Sequence, residues 1–213
     1  MLEFAAGPRR DARNTVQRIG AILVIVAGAC GGAVYADQVY IYSGDFNLPI
    51  PAELNSTKGW MTDAIIKVRD YHIIHDIDVG INLTHTNVFD LQIFLQSPAG
   101  TRICLNMHNY DEFFVGANYT NTIFDDEAIF SIKAGVPPFT GRFRPVEPYK
   151  LSKFDGQDAY GFWHLQIYDA FPPDTGTFNR FELTITAPEP ATIFLLSFGV
   201  LTLRKSKNKT HRF

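Results

Sequence analysis

Hydrophobic and polar positions alternate most cleanly across residues 79–105. Val79, Ile81 and Leu83 fall at every second position, as do Leu91, Ile93 and Leu95, and then Ile103 and Leu105. A period of two puts each set on one face of a half-buried β-strand. Between the second and third sets lies Ser97-Pro98-Ala99-Gly100, with Pro and Gly at the second and fourth positions of a type I turn. The stretch predicts a three-strand antiparallel core. Alternation returns at Trp163, Leu165 and Ile167, and again at Phe181, Leu183 and Ile185, with a turn at Asp174-Thr175-Gly176-Thr177 between them. Residues 60–70 alternate less regularly, and Ile66 and Val68 anchor a first strand there.

The intervening segments are irregular. Residues 37–54 form an extended, proline-bearing lead-in, and residues 106–122 a polar aromatic loop. Residues 123–128 and 135–141 follow, in a region too rich in Gly and Pro for central strands. His72, His75, Asp76 and Asp78 read as a polar edge rather than a metal site, because residues three apart on a strand face opposite sides. Short strands split by turn-rich loops, with no crossover helices, predict an all-β fold: a β-sandwich of jelly-roll type.

A chain of 213 residues has room for one such domain and two flanking segments. Its 14% aromatic content, with 18 Phe and 9 Tyr, favours β-structure. The net charge of −3 hides an uneven distribution. Residues 1–36 carry four Arg against Glu3 and Asp11, and residues 187–213 carry five Lys and Arg against Glu189. The middle keeps 10 basic and 19 acidic residues, a net of −9 that makes it a poor partner for nucleic acid. The two Cys, Cys30 and Cys104, form neither a disulfide framework nor a zinc spacing, and Cys104 reads as a small buried hydrophobe.

Both ends read as targeting segments. Residues 1–36 combine Arg9, Arg10, Arg13 and Arg18 with an apolar run over 19–29, and Val34-Tyr35-Ala36 offers the small residues of a signal cleavage site after Ala36. Cys30 raises a lipoprotein signal, but Ala27-Gly28-Ala29 lacks the bulky aliphatic usual before such a Cys. Residues 187–213 contain Pro188-Glu189-Pro190, an apolar run over 193–203, and a basic end of Arg204, Lys205, Lys207, Lys209 and Arg212. That run is short of the ~20 residues a comfortable membrane helix needs. Cationic ends stay on the cytoplasmic side, so both termini place the acidic body outside.

Residues 55–186 resemble the P domain (P/Homo B domain) that follows the catalytic domain of subtilisin-like proprotein convertases. The matching pieces are Leu83-Thr84-His85-Thr86, Asp90-Leu91, Ser97-Pro98-Ala99-Gly100-Thr101, Phe124-Asp125-Asp126-Glu127-Ala128, Pro138-Phe139-Thr140-Gly141, Gly161-Phe162-Trp163-His164-Leu165, and Asp169 with Asp174-Thr175-Gly176-Thr177. The resemblance implies a jelly-roll sandwich of the galactose-binding-like kind. Phe181 stands where many members carry Trp. Residues 187–213 resemble PEP-CTERM sorting signals, which implies recognition of Pro188, Glu189 and Pro190 by a membrane-embedded exosortase. It also implies a membrane contact through the tail, at least transiently, and a place at the cell surface, in the outer envelope or outside the cell.

Relatives join the P domain to a Ser-His-Asp protease, but residues 37–54 are too few to fold as a catalytic domain and no Gly-Thr-Ser nucleophile motif occurs. No catalytic residue is expected, and His85 reads as a hydrogen-bonded structural histidine. Asp125 and Asp126 sit side by side in a loop, while Asp90 and Asp169 end strands. Clustered carboxylates suit Ca²⁺, and loop Asp residues equally cap turns. Asp125 and Asp126 fit either role; for Asp90 and Asp169 the capping role comes first. The expected function is that of an exported, surface-sorted, non-catalytic binding or structural module, with a separately encoded protease or an envelope polymer as partner. The alternative is a carbohydrate-binding module whose Tyr110, Phe113, Phe114 and Tyr119 stack on sugars.

Overall fold

The computed structural model describes residues 15–17, 37–52, 58–108, 115–171 and 173–188. Its strands are β1 (Thr15–Gln17), β2 (Asp37–Ile50), β3 (Gly59–Trp60), β4 (Ala64–Val68), β5 (Asp76–His85), β6 (Leu91–Gln96), β7 (Arg102–Asn106), β8 (Tyr119–Phe124), β9 (Phe139–Phe143), β10 (Gly161–Asp169) and β11 (Gly176–Pro188). One sheet has the order β1-β2-β11-β5-β8-β9; the other has β3-β10-β6-β7, with β4 also on β10. All pairs are antiparallel except β8 with β9. The chain passes repeatedly from one sheet to the other, and the result is the expected all-β sandwich.

Alternation explains the core. Val79, Ile81 and Leu83 of β5 and Phe181, Leu183 and Ile185 of β11 face Leu91, Ile93 and Leu95 of β6 and Trp163, Leu165 and Ile167 of β10. Every one of these is at most 1% exposed. Burying side chains of this size gives roughly 1.5–3 kcal/mol each, the dominant favourable contribution to folding.

Three expectations need correction. The β6–β7 hairpin forms as read: the Gly100 amide donates to the Ser97 carbonyl at 2.9 Å, and Gly100 takes φ +86°, where a side chain would be strained. β5, however, belongs to the opposite sheet and pairs with β11 and β8. The Asn87 side chain accepts from the Phe89 amide and caps a short 3₁₀ turn at Val88–Asp90, which carries the chain from one sheet to the other. Periodicity shows which face a residue occupies, and says nothing of which strand lies beside it.

Secondly, the region read as irregular contains β8, with Tyr119 and Phe124 pointing inward. Asn118 and Asn121 have φ of 72° and 49°, and the pairing slips beside them, which breaks the alternation that would have revealed a strand. β9 lies at the sheet edge, a place that suits a strand entered through Pro137 and Pro138. Thirdly, the lead-in is a full strand. β2 pairs with β11 from Asp37↔Pro188 to Ile50↔Gly176 and sends Tyr42 and Ile50 into the core.

Within residues 1–36 the structure describes only Thr15–Gln17, a strand paired antiparallel with Ile41–Ser43 of β2. The apolar run over 19–29, Ala36, Glu189, Pro190 and the tail lie outside the described residues. Among the described residues no helix is long and apolar enough to cross a membrane.

Candidate functional site

The end of β5 carries a buried polar cluster. His85 Nε2 lies 3.1 Å from Asp169 Oδ2, and the side chains of both residues are fully buried. His85 Nδ1 lies 2.8 Å from the Asn87 carbonyl oxygen, and the second Asp169 oxygen accepts from the Phe171 amide at 3.3 Å. Because Asp169 ends β10 and His85 ends β5, the pair pins one sheet to the other. Gly176 opens β11 alongside; a Cβ there would collide with the Thr84 carbonyl and the His85 ring. This is the structural histidine the sequence predicts, closed to any substrate.

Asp90 sits beside this pair. Its Oδ1 accepts from Asn87 Nδ2 at 3.1 Å, while the Thr86 hydroxyl donates to Asp174 at 2.5 Å. Burial, then the charges of Asp174 and Asp169, push the Asp90 carboxyl up to about 6. A carboxyl raised on folding stabilises the fold fully below its unfolded value of 3.8, and that contribution is lost as pH rises through about 6. Asp90→Asn keeps the acceptor for Asn87 and removes the charge. It is expected to stabilise the domain at pH 7.5 by on the order of 1 kcal/mol and to be neutral near pH 4. Urea unfolding at the two pH values checks this; a gain independent of pH would rule out the carboxylate as its source.

A second cluster surrounds Arg142 of β9. One guanidinium nitrogen bonds Asp78 at 2.9 Å and Asp125 at 2.5 Å. Burial raises the Asp78 carboxyl to about 6, with Arg142 pulling against it. Burial also pushes Asp125 upward, but hydrogen bonds from Arg142 and the Glu127 amide prevail and hold it below its ordinary value. Asp126 turns the other way, taking the Leu151 and Ser152 amides at 2.9 Å each, and so caps the 3₁₀ turn Leu151–Phe154. Asp78, read as part of a plain polar edge, is a working member of this cluster.

The four carboxylates considered for Ca²⁺ therefore fall in two places. Asp90 and Asp169 stand at the His85 end, whereas Asp125 and Asp126 diverge beside β9. Arg142 holds the place of a cation next to Asp125, and backbone amides satisfy Asp126. Among the described residues no three His, Cys, Asp or Glu are grouped to hold a metal. A calcium shell of six to eight oxygens would have to be completed separately at either place. Tyr119 is corrected as a sugar platform: it is 1% exposed, with its hydroxyl accepting from Asn106 Nδ2 at 2.6 Å. Tyr110, Phe113 and Phe114 lie outside the described residues.

The third feature is an open face that the sequence reading passed over. While Trp163, Leu165 and Ile167 point inward, Phe162, His164, Gln166 and Tyr168 of β10 point outward. His164 Nδ1 lies 3.0 Å from Asp63 Oδ2, Gln166 Nε2 donates to the same oxygen at 3.1 Å, and Arg102 Nε donates to Gln166 at 2.8 Å. The Arg102 guanidinium lies 3.7 Å from the Phe94 ring centroid and 5.4 Å from that of Trp60. A cleft of about 660 Å³ opens beside this ridge, lined by Asp63, Lys67, Gln96, Ser97, Phe162 and His164 among others. Asp63 and His164 resemble half of a hydrolytic triad, but the Ser97 hydroxyl donates to Gln157 at 2.9 Å and serves the hairpin instead. The signal for this face was the outward half of the same alternation that located the core.

The family model of the proprotein convertase P-domain matches residues 74–185, just over half of the chain. The chain belongs to this family. The match runs from before β5 almost to the end of β11, so both buried clusters and the outward face of β10 lie wholly or largely within the P domain. No curated protein matches the chain. Among solved structures it is similar to the Aeromonas sobria serine protease in complex with the chaperone ORF2, with 17% identity and a TM-score of 0.46, over 74% of this chain and 28% of that one. It is also similar to the serine protease of Aeromonas sobria alone, with 16% identity and a TM-score of 0.41, over 70% of this chain and 27% of that one. The chain thus spans less than a third of those proteins.

Proposed function

We propose that this P domain is a non-catalytic binding module, exported and sorted to the cell surface, where it serves as an accessory to a separately encoded subtilisin-like serine protease. The observation that carries the reading is the family match over residues 74–185, within which the buried His85–Asp169 pair is closed to substrate. The basic, apolar leader ending at Ala36 supports export, and Pro188-Glu189-Pro190 with its basic tail supports handling by an exosortase. Asp37 and Pro188 are register partners, so the described chain enters and leaves the sheet at one end, which suits processing next to both residues. Cleavage after Ala36 removes β1 and leaves β2 as the edge; it touches no core residue. An envelope polymer is the second partner class, favoured by the open aromatic face of β10.

Mass spectrometry of the mature protein from its native host tests this reading. The expected chain begins at Asp37 and ends near Pro188-Glu189-Pro190; an intact chain recovered from the cytoplasm would sink it. Purified protein is expected to leave casein uncut. In this reading the domain stands on its internal ion pairs and turn caps rather than on bound calcium. Its Tm is accordingly expected to stay unchanged on adding Ca²⁺ or EDTA, and a rise with Ca²⁺ that EDTA reverses would restore the metal.

A further inference from the structure

We propose that the outward face of β10 is a binding site for neutral carbohydrate, with Phe162 and Tyr160 as stacking rings and Asp63, His164 and Gln96 as hydroxyl partners. The inference goes beyond the protease-accessory reading and does not depend on it.

Phe162 is 52% exposed and Tyr160 42%, although both flank residues that are wholly buried. Single exposed rings need no explanation, but these two line one cleft together, and rings grouped in this way offer a ligand an apolar face. The rings are also held in place. Tyr71 stacks on Tyr160 at 4.3 Å with the planes 6° apart, and Lys67 Nζ lies 4.9 Å from the Phe162 centroid. Fixed rings lose little freedom when a ligand arrives. The cleft wall is built with equal care: Gly161, at φ +131°, admits Pro98 so closely that a Cβ would stand 2.6 Å from the proline Cβ.

The polar groups suit hydroxyls. Asp63 Oδ2 takes both His164 and Gln166, and among the described residues Oδ1 takes no hydrogen bond. A carboxylate, an imidazole and an amide in one cleft supply acceptors and donors together, which is what an array of sugar hydroxyls requires. Aromatic faces take the C–H faces of sugar rings. A peptide bound as an added strand would need a free sheet edge, whereas this cleft is lined by side chains on a sheet face. Charge bears on the sugar class: Asp63 and Lys67 in the cleft offset one another, and the net of −9 on the body favours an uncharged polymer over an anionic one. The cleft of about 660 Å³ accepts a short oligosaccharide segment.

Affinity gel electrophoresis of the full chain in dextran, mannan, laminarin or xyloglucan, with alginate as the anionic control, tests the site. At least one neutral polymer is expected to retard the protein. Phe162→Ala and Asp63→Ala should each weaken that retardation about tenfold or more. Phe162→Leu, which keeps apolar bulk and loses the flat ring, should do the same, whereas Phe130→Ala in the loop after β8 should leave it intact. Thermal unfolding confirms that each variant is folded. Retardation by alginate alone, by none of the neutral polymers, or undiminished in the Phe162 and Asp63 variants overturns the proposal.

Discussion

Asp169→Ala is expected to lower the unfolding free energy by about 3–5 kcal/mol, the cost of removing one partner from a fully buried hydrogen-bonded pair of polar side chains. The side chains of Asp169 and His85 are fully buried, and their contact at 3.1 Å joins the last residue of β10 to the last of β5. Deleting the carboxylate strands the fully buried imidazole, and also deprives the Phe171 amide of its acceptor. Asp169→Asn keeps the volume and an acceptor for Phe171, and should cost distinctly less. Urea unfolding at pH 7 measures both. A double-mutant cycle with His85→Ala isolates the pair: the double variant should lose less than the sum of the singles. A loss under about 1 kcal/mol for Asp169→Ala would mean that His85 finds another partner and that the two sheets are not pinned here.

Trp163→Ala should be as damaging, and for a different reason. Trp163 is wholly buried on β10, meets Phe154 edge-on at 5.2 Å, and donates its indole N–H to the Ala159 carbonyl at 2.9 Å. Truncation opens a cavity worth about 3–5 kcal/mol and leaves the carbonyl unpaired at about 1 kcal/mol more. Against a typical total of about 5–15 kcal/mol, that leaves little folded protein. Trp163→Phe should cost less, since it keeps a ring against Phe154 but still orphans Ala159. The neighbouring Phe162→Ala, on the outward side of the same strand, should change stability by no more than about 0.5 kcal/mol. Were Phe162→Ala the costlier of the two, the assignment of faces along β10 would be reversed.

The contrast between these neighbours shows what could be read before any coordinates. A period of two states which way each side chain points, and every anchor it named on β5, β6, β10 and β11 is in the core. It does not state which strand lies alongside. For that reason β5 was joined to the β6–β7 hairpin, when the Asn87-capped turn sends the chain across to the other sheet. β8 carries no such rhythm, because Asn118 and Asn121 adopt left-handed backbone and interrupt the alternation. The polar clusters were legible only in part. Asp125 and Asp126 are adjacent in the chain yet serve Arg142 and the Leu151 turn respectively, and nothing local to their loop announces either partner. Asp63 and His164 meet across 101 positions, a distance that local pattern cannot bridge.

The pairing of Asp37 with Pro188 has a mechanical consequence. Asp37 and Pro188 meet at one corner of the sandwich, and β11 runs about 40 Å from there to the His85 end. A load carried jointly by the two flanking segments enters at that corner and never crosses the core. A load that drew them apart would act across the ladder instead, where antiparallel hydrogen bonds lie perpendicular to the strands. β2 and β11 would then open as a zipper does, one pair after another from Asp37 inward, at far lower force than sliding the two strands past each other.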